Sequence, residues 1–251
     1  MHFSLDDVVG IFNDLTANKH KYSSIFDNET LRYCKEVNSD FGAVFSMYCY
    51  QQHKNYSITN VTDKFRHEFT QNSSWLRFAF HSKTNIIDFS ACSPHEAQDA
   101  YNTVTEELIR ITGSVKCLDK VPRLHRFIGS KEHIRAVSST KNGIKGLLST
   151  DNGTCGYYLS SAENEFLIKN GVFHDKDEDI FFFTGSPRLS TLTEKTKMSA
   201  ADSGYKFLCF FTHEWELSSE HKNLFRFIAK EGNKKGMSFA FPMDKILDDE
   251  K

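Results

Sequence analysis

Short runs of apolar and aromatic residues alternate along the chain with longer amphipathic segments. A strand buried in a parallel sheet reads as a near-continuous apolar run. A helix packed on such a sheet repeats its apolar residues every three to four positions. The runs predict strands at His2–Leu5, Gly42–Tyr50, Trp75–Phe80, Pro122–Phe127, Ile144–Leu148, Lys206–Phe211 and Ser238–Phe241. The amphipathic segments predict helices from Val8 onward and over Asn28–Val37, Thr62–Thr70, Lys131–Ser138 and Glu220–Lys230. The clearest helix should run from about Ser93 to Ile111. Ser93 supplies an N-cap, Pro94 a first helical residue without an N–H, and Glu96 the return half of a capping box. Ala97, Ala100, Tyr101, Val104, Leu108 and Ile111 form its apolar stripe, and Gly113 its stop.

Strands alternating with helices imply a mostly parallel sheet. No GxGxxG or GxxxxGK[ST] motif is present, which removes the common nucleotide-binding open sheets. The expectation is one α/β domain over residues 1–251, a distorted (β/α) barrel of about seven parallel strands. Segment 156–190 breaks the alternation. Its two apolar runs, Val172–His174 and Ile180–Phe183, flank Asp175–Asp179 and read as a β-hairpin insertion.

The balance of 31 basic against 33 acidic residues, spread along the chain, argues against a nucleic acid partner. No apolar stretch is long enough for membrane insertion and no signal peptide opens the sequence, so a cytoplasmic protein is expected. The six cysteines show no CxxC pairing and sit mainly in apolar runs, as buried free thiols do. Oligomeric state leaves no mark in the sequence.

In parallel α/β folds the working residues lie just past the C-terminal ends of strands. Those positions hold Asp6 and Asp7, His81, Arg123 and His125, Asp151, and the run Thr212-His213-Glu214-Trp215. Each has a plainer reading. Asp6 or Asp7 could cap the following helix, His81 could be a satisfied loop histidine, Arg123 could pair at the surface, and His213-Glu214 could simply begin a helix. A divalent cation accounts for the set together. It takes imidazole and carboxylate ligands, keeps a position open for water, and leaves a nearby carboxylate and histidine to move protons.

In that order and placement the chain resembles the polysaccharide deacetylase (NodB-like, carbohydrate esterase) superfamily. Phe3-Ser-Leu-Asp6-Asp7 is similar to its first motif, Phe78-Ala-Phe-His81-Ser82 to the start of the second, and Pro122-Arg123-Leu-His125 lies in place of the third. Leu147-Leu-Ser-Thr-Asp151 and Phe210-Phe-Thr-His213-Glu-Trp215 stand where the fourth and fifth fall. The resemblance implies a deacetylase-like barrel and a zinc-dependent hydrolase that removes an acyl group, chiefly acetyl, from a carbohydrate. It implies Asp6 as general base, Asp7 and His81 as metal ligands, His213 as catalytic acid and Arg123 as the residue orienting Asp6. Asp151 would orient His213.

Two positions depart from the pattern. The second motif carries a further histidine where this chain has Asn85, and Leu124-His125 replaces prolines in the third. Residues i and i+2 of a strand share a face. If Arg123 points into the site, His125 follows, and it is the expected third ligand, with the Asn85 amide oxygen as its rival. Tyr50, Phe127, Trp215 and Tyr158 are candidate pocket aromatics. Two other functions share these residues: a sugar-binding protein that has lost catalysis, and a glycosidase using Asp6 with Asp151 or Glu214.

Overall fold

The computed structural model describes residues 1–149, 156–184, 188–192 and 207–249. Four parallel strands form the principal sheet: β1 (His2–Val8), β2 (Phe45–Tyr50), β5 (Leu76–Ser82) and β9 (Cys209–His213), in the order β5-β2-β1-β9. Between β2 and β5 lies a small hairpin, β3 (Gln52–His53) with β4 (Tyr56–Ser57). Helices α1 (Gly10–Ala17), α2 (Glu29–Phe41), α3 (Arg66–Gln71) and α4 (Pro94–Thr112) make the crossovers. Helix α5 (Lys131–Ser138) packs on α4. The capping box expected at Ser93 and Glu96 is present, and Gly113 stops α4 in the left-handed conformation at φ 81°.

A second sheet contains β6 (Gly146–Ser149), β7 (Val172–Asp175) and β8 (Ile180–Thr184), in the order β6-β8-β7. The expected hairpin is there as the antiparallel pair β7–β8, but β8 also pairs in parallel with β6. The segment is therefore part of a sheet rather than an insertion. It also contains a helix the periodicity did not suggest, α6 (Ser161–Asn170). Two predicted strands are absent. Residues 118–124 run extended between the sheets and bond to both, with Asp119 N–H to Phe78 O at 2.8 Å and Leu148 N–H to Pro122 O at 3.0 Å. Pro122 cannot donate, so the ladder is broken there, and His125–Phe127 turns into a 3-10 helix. Residues 238–241 meet the sheet end through two bonds, Ala240 N–H to Met1 O and the Met1 amino group to Ser238 O, between α7 (Ser219–Lys234) and α8 (Pro242–Asp249). The described ladders thus show an α/β fold with a four-stranded parallel sheet plus a mixed three-stranded one. No helix among the described residues is long and apolar enough to cross a membrane.

Both faces of the principal sheet are buried, and they differ in chemistry. On one face Phe3, Leu5, Phe45, Met47, Phe78 and Phe80 meet the helices, with the Phe3 ring 4.6 Å from that of Phe225 on α7. Alternation places His2, Ser4, Asp6, Ser46, Tyr48, Tyr50 and His81 on the other. This inner face is polar along its length. At its lower end the buried Ser46 hydroxyl donates to Asp119 and sits 2.8 Å from His2 Nε2. Burial pushes the Asp119 carboxyl up to about 6, with the Ser46 bond only partly opposing it.

An unfolded Asp titrates near ~3.9, so folding favours the neutral acid at this position. Its contribution to stability is complete below pH ~4 and is lost as pH rises through about 6. Asp119→Asn should remove that component. Urea unfolding at pH 4.5 and 7 should then show a smaller loss between the two pH values than in the wild type, by roughly 1–3 kcal/mol.

Candidate metal centre

Strand alternation alone would put Asp6 and Asp7 on opposite faces. A bulge in β1 prevents this. Leu5 pairs with Met47 and Val8 with Cys49, so β1 holds one residue more than β2 across that interval. The extra turn is taken up at Asp7, whose φ of 58° lies in the left-handed region. Neither aspartate caps α1, which overturns the plainer reading. The cap is Glu214, whose carboxylate accepts the N–H groups of Val9, Gly10 and Ile11 at 2.8, 2.6 and 2.5 Å. A side chain at residue 10 would meet those oxygens at 3.2 Å, which accounts for glycine there. Glu214 thus ties the end of β9 to the start of α1 and fixes the loop that carries Asp7.

His81 lies in the last turn of the β5 ladder, buried. Its Nδ1 is 2.6 Å from the carbonyl oxygen of Arg123. A carbonyl has no proton to give, so Nδ1 is the donor and Nε2 of the neutral ring carries the lone pair. That nitrogen faces Asp7 Oδ1 at 3.3 Å and His125 Nδ1 at 3.3 Å. Asp7 Oδ1 is buried and accepts no hydrogen bond. The other Asp7 oxygen accepts from Trp215 Nε1 at 3.0 Å. The ligand atoms of Asp7, His81 and His125 all lie within 4.8 Å of one another. Facing lone pairs repel unless a cation lies among them. Bonds of ~2.1 Å in a tetrahedral site put ligands about 3.4 Å apart, so the two 3.3 Å separations suit such an ion. Three protein ligands also leave a fourth position open.

Burial alone would raise the Asp7 carboxyl, but His81, Tyr50 and Trp215 outweigh it and hold the group well below the usual carboxylate range. Burial, with His81 nearby, lowers the His125 imidazole, so it stays a neutral ligand at pH 7.

His125 reaches the cluster by a route other than the one its sequence position suggested. No strand carries it alongside Arg123. Positive φ values at Arg126 and Phe127 curl the chain so that the His125 ring turns toward His81. Tyr157 anchors this curl, its hydroxyl accepting from Leu124 N–H and donating to Leu148 O. Arg123 is buried, not at the surface. Its Nη1 donates to Asp6 Oδ1 at 2.8 Å and to Ser4 Oγ at 2.9 Å, and its guanidinium carbon sits 4.0 Å from the centre of the Phe211 ring. Breaking a buried pair of this kind costs roughly 3–5 kcal/mol.

On the far side of Asp7, His213 Nε2 stands 3.8 Å from Asp7 Oδ2. Its Nδ1 is 3.0 Å from Glu216, and Glu216 is also bound by Arg188 Nε at 2.9 Å. Asp151 was expected in this orienting place. It lies outside the described residues, and Glu216 supplies the contact. His213-x-x-Glu216 closes a capping box on a 3-10 helix, a spacing visible in the sequence. Asn85 is exposed on the loop after β5 and lines the same cavity of about 820 Å³ as Asp7, Tyr50, His125 and Trp215. Tyr158 instead hydrogen-bonds Asp175, and Phe127 is not among the residues lining the cavity.

The fold and this cluster define an α/β protein with a candidate mononuclear cation centre. Its sequence matches no known family model and no curated protein. Among solved structures, a family 4 carbohydrate esterase from Streptomyces lividans in complex with acetate covers 96% of this chain and 91% of its own. The sequence identity is 11% and the TM-score 0.49, below the level at which superposition by itself carries weight.

Two substitutions test the cluster. His125→Ala should weaken zinc or cobalt binding by about a hundredfold or more in competition with a chromogenic chelator. Undiminished binding would move the third ligand to Asn85. Glu214→Ala should lower stability by about 3 kcal/mol in urea, because three helix-start N–H groups lose a charged acceptor.

Proposed function

We propose that this protein is a metal-dependent hydrolase that removes an acyl group, acetyl foremost, from a carbohydrate, with zinc held by Asp7, His81 and His125. One observation carries the reading. Asp7 Oδ1, buried and without a hydrogen-bond donor, faces the lone pair that the Arg123 carbonyl fixes on His81 Nε2. A zinc ion bound at such a site lowers the pKa of water and polarises a carbonyl.

The remaining roles fall to the chain's own groups. Asp6 takes the proton of the attacking water. The Arg123 guanidinium, bonded to Asp6 Oδ1 at 2.8 Å, fixes the orientation of that carboxyl. His213 delivers a proton to the departing oxygen or nitrogen. Burial would raise the Glu216 carboxyl, but its bonds to Arg188 and His213 keep it ionised. Glu216 thereby holds His213 Nδ1 and leaves Nε2 toward the site for proton transfer. Trp215, 69% exposed beside the cluster, offers a flat apolar face on which a sugar ring can stack. In this reading residues 118–124 act as an interrupted strand between the two sheets, making the whole a distorted, incompletely laddered barrel of the deacetylase kind.

Acetate release from acetylated saccharides is the test. Asp6→Asn should reduce kcat by about 10²–10⁴ while bound zinc remains stoichiometric. Acetate release by Asp6→Asn at the wild-type rate would remove Asp6 from the chemistry. A wild-type protein that binds no metal would remove the hydrolase reading itself.

A further inference from the structure

We propose that the carbohydrate carries an anionic group, a phosphate or a carboxylate, which binds between Lys54 and Arg126 in the cavity beside the metal centre. This rests on the deacylase reading above and goes beyond it in naming the chemistry of the substrate.

The charges lining that cavity are Asp7, Glu214, Lys54 and Arg126, with His53 and His125 among them. Both carboxylates are committed. Asp7 faces His81 and His125 and accepts from Trp215. Glu214 accepts three backbone N–H groups at the start of α1. The cations are not committed in the same way. Lys54 is exposed and makes no ion pair among the described residues. Arg126 touches Asp88 through Nη1 at 3.4 Å, a long contact that leaves the rest of its donor fork uncommitted. Arg126 lines the same cavity as Tyr50 and His125. The two carboxylates and two cations balance, so a divalent ion on the cluster would make the lining net positive.

The backbone points the same way. Lys54 has φ 52° and Arg126 φ 59°, conformations that glycine or asparagine adopts at less cost. Lys54 occupies one position of the two-residue loop between β3 and β4, where a small residue is the usual choice. Two long cationic side chains kept in left-handed positions beside one cavity fit a charged group that both can reach. The neutral part of the substrate would then lie along Tyr50 and Trp215 toward Asp7.

The experiment uses three probes of one size: N-acetylglucosamine, its 6-phosphate, and 2-acetamido-2-deoxyglucuronic acid. Binding to the zinc-loaded protein is read from tryptophan emission, since Trp215 is 69% exposed and Trp75 only 8%. The anionic probes should bind at least tenfold more tightly than the neutral sugar, and roughly 0.5 M salt should shrink that advantage. The double variant Lys54→Asn, Arg126→Asn, chosen because asparagine tolerates the left-handed backbone, should bring the three affinities together. The stronger of the two anionic probes identifies phosphate or carboxylate as the group. Equal affinities in the wild type, no binding of any probe, or a preference that survives both substitutions would overturn the proposal. Metal content and acetate release, measured on the same samples, separate the two readings. Stoichiometric zinc with acetate released equally from all three probes removes the anion site alone. Salt-sensitive anion binding without zinc keeps the anion site and removes the deacylase.

Discussion

The bulge at Asp7 is the constraint on which the rest of the site depends. A regular β1 would send the Asp6 and Asp7 side chains to opposite faces of the sheet. The extra residue and the left-handed backbone let Asp6 stay on the inner face with Arg123 while Asp7 turns to His81 and Trp215. A non-glycine residue in that conformation costs on the order of 1–3 kcal/mol. Glu214 offsets the cost from outside the strand by binding the three N–H groups that follow the bulge. The bulge, the start of α1 and the end of β9 therefore form one unit.

The inner face of the principal sheet is the second requirement. A parallel sheet buried on both sides would normally carry apolar residues on both. Here Ser4, Asp6, Ser46, Tyr48 and His81 are buried on the face turned away from Phe3, Phe45 and Phe78. Such a face is stable only where its groups satisfy one another. Arg123 links Ser4 to Asp6, Ser46 links His2 to Asp119, and the Arg123 carbonyl holds His81. Four described atoms near the site remain outside this accounting, all buried and unpartnered: Asp7 Oδ1, His53 Nδ1, and Arg123 Nε and Nη2. Where a fold leaves polar atoms unsatisfied next to a cavity, a ligand is the economical physical reason.

Several site residues were legible because strand ends are legible. An apolar run that stops at Asp6-Asp7, at His81 or at His213 marks the rim of a parallel sheet in the sequence alone. His125 was found by a wrong route. Alternation brings His125 beside Arg123 only along a strand at 122–127, whereas Pro122 breaks the ladder and a 3-10 curl turns the ring toward His81. Glu216 has no mark in the sequence, and Glu214 reads there only as a rim carboxylate, because each looks like an ordinary acidic residue at the start of a helix. Only their partners, 204 residues away for Gly10 and 28 for Arg188, give them a role.

The sequence by itself determined the alternation of strands and helices, the α4 boundaries and the four rim positions Asp6, Asp7, His81 and His213. Periodicity and capping are local, and local patterns survive without a fold. The tertiary structure alone decided that a bulge keeps Asp6 and Asp7 from opposite faces, that segment 172–184 joins a sheet, and that His125 closes the cluster. Those outcomes depend on which unsatisfied backbone groups and lone pairs meet across the chain, and spacing along the sequence carries no record of such meetings.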